Sequence, residues 1–393
     1  MSTSAESRMA RRIFEPEHDM FRDSFRRWLE REVAPHAERW REAGQVDREA
    51  YAKAGAQGYL LMWADERYGG AGVEDFRYEQ IMIEENVARG EQGFFMTLHS
   101  RLVGRYLGAL GTEEQKARYL PGCIQGSTIL GIAMTEPSGG SDLAGIKTRA
   151  ERDGEDWILN GSKTYISNGQ IGDVYIVAAR TVPDKRHGLG LFLVERDMAG
   201  FRRGRNLKKL GLKEQDTSEL FFDGVRVPAR NVLGDPAQGF YYLAQFLVEE
   251  RLIGACQYLG HSQAAFDLTL DFVKERRVFG KAVGAYQNTR FKLAEMRAQL
   301  DAMQVFVDHC VMEHNAGRLS AQTAAEAKWL ASELEGRVMD ECLQLHCVAG
   351  YMEEYRICRM FADARVSRIY AGTSEIMKEI IARGIGLDDR KMS

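Results

Sequence analysis

The sequence predicts an α+β protein of three parts: helical over residues 1–130, a β barrel over 131–240, and a helical bundle over 241–393. Apolar residues recur at three- and four-residue steps up to about Gly126. Short apolar runs separated by turn signals fill the stretch from about Ile129 to Gly239, and helical spacing returns after Phe240. A chain of 393 residues is also longer than one core serves comfortably, so division into packed units is expected.

In the first region Phe21, Phe25, Trp28 and Leu29, and later Ile81, Ile83 and Val87, keep a helical period, and clusters such as Tyr68-Gly69-Gly70-Ala71-Gly72 interrupt it as loops. The second region is built from Trp157-Ile158-Leu159, Val174-Tyr175-Ile176-Val177-Ala178-Ala179, Leu191-Phe192-Leu193-Val194 and Leu220-Phe221-Phe222. Asn160-Gly161, Asn168-Gly169 and Asp223-Gly224 stand between these runs as turn signals. Closely spaced short strands suit a compact barrel or sandwich. In the third region Tyr241 to Arg277, Gln287 to Gly317, Ala321 to Val348 and Glu375 to Ile385 are periodic and closely joined, the pattern of an antiparallel bundle.

Composition narrows the function. Lys and Arg total 53 against 57 Asp and Glu, a net charge of −4, which gives no general attraction to nucleic acid or an anionic membrane. The short basic run Arg202, Arg203, Arg205, Lys208, Lys209 reads as a solvated face. No apolar run approaches the ~20 residues that span a bilayer, and Met1 to Arg12 lacks the apolar stretch of a secretion signal. Six cysteines without a regular framework indicate a reducing compartment, and the expected location is cytoplasmic. Arg content alone leaves a mitochondrial presequence open, while Glu6 and the early helical pattern speak against it. Cys342 and His346 share a helix face and Cys347 follows, but further ligands at zinc-like spacing are missing; core packing or cofactor lining is expected there, and no metal.

The glycine-rich loops do not match familiar nucleotide sites. Gly139-Gly140-Ser141-Asp142-Leu143-Ala144-Gly145 lacks the dinucleotide fingerprint and the βαβ setting. Gly161-Ser162-Lys163-Thr164 departs from a phosphate loop, and an Asn-Gly hairpin turn accounts for its glycine. Four stretches do carry chemistry. Ala133-Met134-Thr135-Glu136-Pro137-Ser138-Gly139-Gly140-Ser141-Asp142 is a strand end entering a turn, able to offer N–H groups and hydroxyls to a flat polar heterocycle. Tyr165-Ile166-Ser167-Asn168-Gly169 reads as a strand with an aromatic and a hydroxyl on one face. In Arg276-Arg277-Val278-Phe279-Gly280-Lys281 a helix breaks at glycine. Tyr370-Ala371-Gly372-Thr373-Ser374-Glu375-Ile376 is a glycine turn opening a helix, whose free N–H groups suit an anion.

In this order and at these separations the four stretches resemble the acyl-CoA dehydrogenase family, most nearly its long-chain members. The resemblance runs from Phe14-Glu15-Pro16-Glu17 to Gly384, through Trp157-Ile158-Leu159-Asn160-Gly161-Ser162-Lys163, Gln215-Asp216-Thr217 and Glu375-Ile376-Met377-Lys378-Glu379. It implies an N-terminal helical domain, a middle β-barrel domain and a C-terminal four-helix-bundle domain. It also implies a homotetramer with FAD between domains and subunits, an acyl-CoA substrate, and electron-transfer flavoprotein as the acceptor. By the same resemblance Met134 and Thr135 meet the flavin pyrimidine, Tyr165, Ile166 and Ser167 flank its rings, and Ser141 lies near diphosphate and CoA. Arg276, Phe279, Gln287, Gln344 and Val348 fall toward the adenosine end, and Thr373 and Glu375 near FAD. Tyr241, Arg251, Ala371, Gly372 and, on a loop with Arg186, His187 fall among acyl-CoA contacts.

Removing the α-proton of a thioester needs a base, and a buried carboxylate suits because desolvation raises its pKa toward neutrality. Many relatives carry that Glu in the turn where this chain has Ala371. Leu243, Phe246, Leu247, Glu250, Ile253 and Gly254 share one helix face, and Glu249 falls off it. Glu250 is therefore the expected base, matching the position that long-chain and isovaleryl members use. The amide of Ala371 remains able to face the thioester oxygen, as an oxyanion hole does. Two departures bear on this reading. Phe94 and Phe95 stand where long-chain relatives have Pro-Gly at the far end of the acyl pocket, and they either shorten the tunnel or join the helical core. Cys347-Val348 stands where relatives have Gly-Gly. A flavin oxidase of the same fold and a non-catalytic FAD- or CoA-binding protein are the alternatives; rapid reoxidation by air without a carrier protein marks the first.

Overall fold

The structure is a computed structural model describing residues 8–90, 92–183 and 185–388; the outermost ends of the first and third predicted regions, with Glu6, lie outside them. Among the described residues six α-helices open the chain: α1 Pro16–Glu32, α2 Ala37–Ala43, α3 Arg48–Ala56, α4 Phe76–Arg89, α5 Gly104–Leu110 and α6 Glu113–Ile124. Local chemistry starts and stops them. Pro16 supplies the preset φ at the first turn of α1. Asp75 caps α4 through the Arg77 N–H at 2.9 Å, and Gly90 ends it at φ 78. Thr112 and Gln115 cap α6 reciprocally. Phe25, Trp28, Leu29, Trp40, Tyr51 and Leu107 bury their faces in one core.

Among the described residues eight strands follow: β1 Leu130–Ala133, β2 Arg149–Asp153, β3 Asp156–Ser167, β4 Val174–Arg180, β5 Leu189–Glu195, β6 Phe201–Asn206, β7 Thr217–Val227 and β8 Val232–Leu233. They form one sheet in the order β6-β7-β3-β2-β4-β5-β8, with β1 parallel to β4. Among the described residues this ladder starts at β6 and ends at β8, so the expected barrel is left open there. Both sheet faces are covered. Ile176 and Ala178 of β4 join the N-terminal core, whereas Tyr175, Val177 and Ala179 join the sheet's own core with Trp157, Phe192 and Phe222. Burial on both faces explains why β4 and β5 read as unbroken apolar runs.

Two of the expected turns are bulges inside long strands. Leu159 pairs with Val225 and Gly161 with Phe222, so Asp223 and Gly224 together oppose Asn160. Asn160 Oδ1 accepts from the Gly224 N–H at 2.8 Å, which replaces the missing ladder bond. A side chain at Gly161 would stand 2.8 Å from the Thr148 Cα, so glycine is there for close approach, not for a hairpin. The basic run is also only partly a solvated face: Arg203 donates to the Gln170 carbonyl and Lys209 to the Gln215 carbonyl, each holding a loop.

The C-terminal part is α7 Gly239–Glu275, the hairpin β9 Arg277–Val278 and β10 Lys281–Ala282, then α8 Gln287–Asn315, α9 Ala321–Leu345, α10 Arg356–Ala364 and α11 Ser374–Gly384. α7 runs against α4, α8 and α9, and α10 and α11 pack on α9. The expected break at Gly280 is instead a two-residue hairpin turn, with Phe279 at φ 49 and Gly280 at φ 83, after α7 has already ended. The helical domains meet the sheet closely at the start of α7, where a Cβ on Gly239 would stand 2.7 Å from the Leu189 carbonyl oxygen. Among the described residues no helix is long and apolar enough to cross a membrane.

Candidate active site

Helix α7 carries two adjacent acids into different surroundings. Glu249 is paired, accepting from Arg101 Nε at 2.5 Å with His314 Nε2 at 3.4 Å. Glu250 continues the apolar face marked by Leu243 and Ile253, both buried, and no hydrogen bond or ion pair to another described residue holds its carboxylate. Burial raises its pKa to about 7, against the opposing pull of the nearby Arg251 and Lys328 charges. A carboxylate poised there has the proton affinity a general base needs near neutral pH. Phe246, one turn earlier, packs on Tyr106 at 4.1 Å between ring centres, and the Tyr106 hydroxyl is buried without a partner.

The turn before α11 lies on the same side of the bundle. Ala371 and Gly372 have φ of 54 and 93, two successive left-handed residues. Lys328 Nζ of α9 donates to the Gly372 carbonyl at 2.6 Å. The Thr373 hydroxyl accepts from the Ile376 N–H at 3.3 Å, capping α11. No described residue accepts from the Ala371 N–H, which leaves that donor available. Arg251 is buried, and its Nε has no partner. At the start of α7 His187 stacks on Phe240 at 4.2 Å and meets Tyr241 edge-on at 5.9 Å. Helix rise puts Tyr241 about 14 Å from Glu250 along α7, a separation suited to an elongated substrate.

The flavin-binding candidates of the sheet gather around a third irregularity. Lys163 pairs with Leu220 and Ile166 with Ser218, so Thr164 and Tyr165 together oppose Glu219. This bulge corrects the regular strand expected there: Tyr165 is turned to φ 59 and is 67% exposed. Ile166, between Tyr165 and the half-buried Ser167, points into the sheet core, so its side chain has no access to a ligand and only its backbone is offered. The Thr164 N–H donates to the Thr135 carbonyl at 2.9 Å, joining the bulge to the loop after β1. Buried Lys163 secures that loop further, donating to Glu136 Oε1 at 2.9 Å and to the Met134 carbonyl at 3.0 Å. Glu136 also accepts from the N–H groups of Lys147 and Thr148. The Met134 side chain packs at the seam with the N-terminal core, and Ser141 is exposed. An exposed aromatic face beside a pinned polar loop fits the ring system of a flavin.

Other candidates are not brought to this place within one chain. Arg276, Phe279, Gln287, Gln344 and Val348 are all exposed, Phe279 at 96%, near the far end of α7. Arg276 follows Glu250 by 26 residues, roughly 39 Å along the helix. Glu375 is exposed in the first turn of α11. Cys342 is buried with its thiol pushed up to about 12 by desolvation, His346 spends Nδ1 on the Cys342 carbonyl and stacks on Phe272, and Cys347 is exposed. Among the described residues no three His, Cys, Asp or Glu stand together as metal ligands. Phe94 lies wholly in the helical core, its ring 5.8 Å from Trp40 and 5.2 Å from Tyr51, whereas Phe95 packs at the seam between the N-terminal and C-terminal cores.

Family models for the acyl-CoA dehydrogenase N-terminal, middle and C-terminal domains match residues 15–127, 131–225 and 237–386. The chain belongs to the acyl-CoA dehydrogenase family. It is 48% identical over 378 residues to the mitochondrial long-chain specific acyl-CoA dehydrogenase of Sus scrofa, covering 95% of this chain and 88% of that one. A crystal structure of an acyl-CoA dehydrogenase from Geobacillus kaustophilus superposes with a TM-score of 0.94 at 45% identity, covering 96% and 100% of the two chains. A glutaryl-CoA dehydrogenase from Mycobacterium smegmatis in complex with FADH2 superposes with a TM-score of 0.89 at 30% identity, covering 96% of each chain. In this acyl-CoA dehydrogenase several site residues escaped the sequence reading: Lys328, Lys163 with Glu136, Tyr106 and Phe240. Lys328, between Ala327 and Trp329-Leu330-Ala331, carried an available signal, because a buried charge needs a reason; Lys163, among Asn160-Gly161-Ser162 and Thr164, carried none.

Proposed function

We propose that this chain performs FAD-dependent α,β-dehydrogenation of a fatty acyl-CoA, with Glu250 as the base. One observation carries the assignment. Glu250 is the unpaired acid on the apolar face of α7, raised to about 7, while the turn that holds the base in many relatives offers only Ala371. Glu250 takes the proton from the α carbon as the electron pair of that C–H bond becomes the new double bond and the β carbon loses hydride. FAD, when bound, supplies the hydride acceptor. The Ala371 N–H, left free by the turn, faces the thioester oxygen and stabilises the charge that develops on it. Gly372, whose missing Cβ leaves room for Met377, stands in the turn at the thioester end, and Arg251 lies beside the base. Tyr241 and His187 with Phe240 flank the chain toward CoA, and Ser141 lies on the loop beside them.

Met134, Thr135, Tyr165, Ser167 and the Ile166 backbone hold the flavin rings, with Thr373 and Glu375 at the opening of α11. Arg276, Phe279, Gln287, Gln344 and Val348 serve the adenosine end of a cofactor seated mainly in a neighbouring subunit, since they stand far from Glu250 in their own chain. That arrangement needs at least a second subunit, and the proposed assembly is a homotetramer. Electron-transfer flavoprotein is the proposed acceptor and the cytoplasm the proposed location.

Anaerobic addition of saturated acyl-CoAs of graded length to the FAD-loaded protein tests the reading. Bleaching of the flavin band is expected, with the extent ranking chain lengths. Glu250→Gln is expected to slow bleaching by about 10²- to 10⁴-fold, the usual worth of a general base, while still binding acyl-CoA. A flavin-loaded protein that no acyl-CoA bleaches overturns the reaction; an unimpaired Glu250→Gln variant overturns the base.

A further inference from the structure

Lys328 has no part in the reaction as built so far, yet it bonds the turn and its charge is felt at Glu250. Its side chain is fully buried on α9. An ammonium group carries three donors, and burying one without acceptors is costly. Its Nζ donates to the Gly372 carbonyl at 2.6 Å and lies 5.9 Å from the centre of the Tyr258 ring. We propose that Lys328 is a positioning residue for the dehydrogenation, fastening the Tyr370–Thr373 turn to α9 and supplying a buried cation at that turn.

The turn needs such a fastening. A non-glycine residue in the left-handed region is strained and persists only where its surroundings enforce it. Ala371 is such a residue, and glycine follows it. The Thr373 cap holds one end of the turn, and the Lys328 bond to the Gly372 carbonyl holds the middle. With that carbonyl fixed, the free Ala371 N–H cannot swing away.

Charge completes the argument. Glu250 is faced by Arg251 and Tyr258 from α7, Tyr106 from α5, Tyr370 from the turn and Lys328 from α9. Lys328 is faced by Arg251, Glu250, Glu333, Glu335 and, from α11, Glu375. Two of those acids are engaged elsewhere: Glu333 accepts from Ser374 Oγ at 2.7 Å, and Glu335 lies 2.7 Å from His261 Nδ1. Glu250 has no such partner. Lys328 therefore holds the base toward its ionised form against burial, which pushes the other way. Burial and Arg251 bring Lys328 itself down to about 8, so it keeps its charge at the pH where Glu250 has lost its proton.

This inference rests on Glu250 being the base, and its test separates the two. Lys328→Met, Lys328→Gln and Lys328→Arg are prepared as FAD-loaded enzyme beside Glu250→Gln. Flavin reduction by dodecanoyl-CoA is followed against pH, and amide hydrogen exchange is measured in the Tyr370–Thr373 segment. Lys328→Met is expected to slow reduction by about 10- to 100-fold, as misplacement of a reacting geometry does. Its acid limb should move to higher pH and its turn should exchange faster. Lys328→Gln keeps a donor for the Gly372 carbonyl, so slow exchange should survive while the limb still moves. Lys328→Arg should return the limb toward wild type. A Lys328→Met enzyme with wild-type rate, limb and exchange overturns the proposal; if that variant does not fold, a Lys328→Gln enzyme with an unmoved limb does so. Unimpaired Glu250→Gln overturns the base alone, and exchange in the turn still judges the fastening.

Discussion

Glu249 and Glu250 are chemically identical neighbours that one helix sends to opposite fates. Glu249 meets Arg101 and spends its charge in a pair; Glu250 meets an apolar seam and keeps its proton longer. The sign of its pH dependence follows. A group raised from 4.5 to about 7 is protonated, and useless as a base, below that pH, so kcat/KM should rise with pH through about 7 and be lost as pH falls. A pH profile of kcat/KM that is flat from 5 to 9 would contradict this. Strain also concentrates at single residues of the proposed sites: Tyr165, Phe279, Cys347 and Ala371 all sit at positive φ. Cys347 occupies a left-handed position where relatives place glycine, which accounts for their choice. Cys347→Gly should relieve about 1–2 kcal/mol of strain and lose about 0.5–1 to unfolded-chain entropy. The expected net is a small gain in thermal stability; a clear loss would mean that the thiol packs usefully.

At the scale of elements, the sheet presents cofactor-binding groups through irregularity. The bulge at Thr164–Tyr165 turns the ring outward, and the Lys163–Glu136 pair pins the neighbouring loop. Removing one partner of a buried pair leaves the other charge uncompensated, a cost of about 3–5 kcal/mol. Lys163→Met should therefore lower the melting temperature strongly and weaken flavin retention, read by thermal unfolding and by the absorbance that stays with the protein on desalting. A variant as stable as wild type would show that the backbone N–H groups on Glu136 suffice. In the acyl pocket Phe94 belongs to the helical core, and only Phe95 stands at a seam where it can limit chain length. Phe95→Ala should shift preference toward longer acyl-CoAs, and an unchanged ranking would place the limit elsewhere.

At the scale of the molecule, α7 sets the plan. It begins against the sheet at Gly239, passes Glu250 at the pocket, and ends beside exposed Phe279. Phe279, Val348 and Tyr351 are exposed by 96%, 75% and 77%, apolar surface that the proposed subunit interface would cover. Sedimentation should find four chains together, and Phe279→Ser should weaken both assembly and FAD retention. A monomeric protein that keeps its flavin would contradict the shared-cofactor arrangement.

The sequence alone determined the three-part order, because periods of two and of three to four residues are local signals that tertiary context reinforced. It also singled out Glu250 as the proposed base, from an acid on an apolar helical stripe together with the resemblance to relatives that place their base there. What it could not determine were features made by contacts between distant segments. Asn160-Gly161 looked like a turn because an Asn-Gly pair favours one; pairing with Asp223-Gly224 across the sheet made both into bulges. Arg203 and Lys209 looked solvated until the loops carrying Gln170 and Gln215 folded over them. Phe94 and Phe95 were indistinguishable until packing sent one into the core and left the other at the seam. Lys328 lies 44 residues before Gly372, and only the packing of α9 against that turn joins them, since burial and long-range electrostatics are properties of the folded chain.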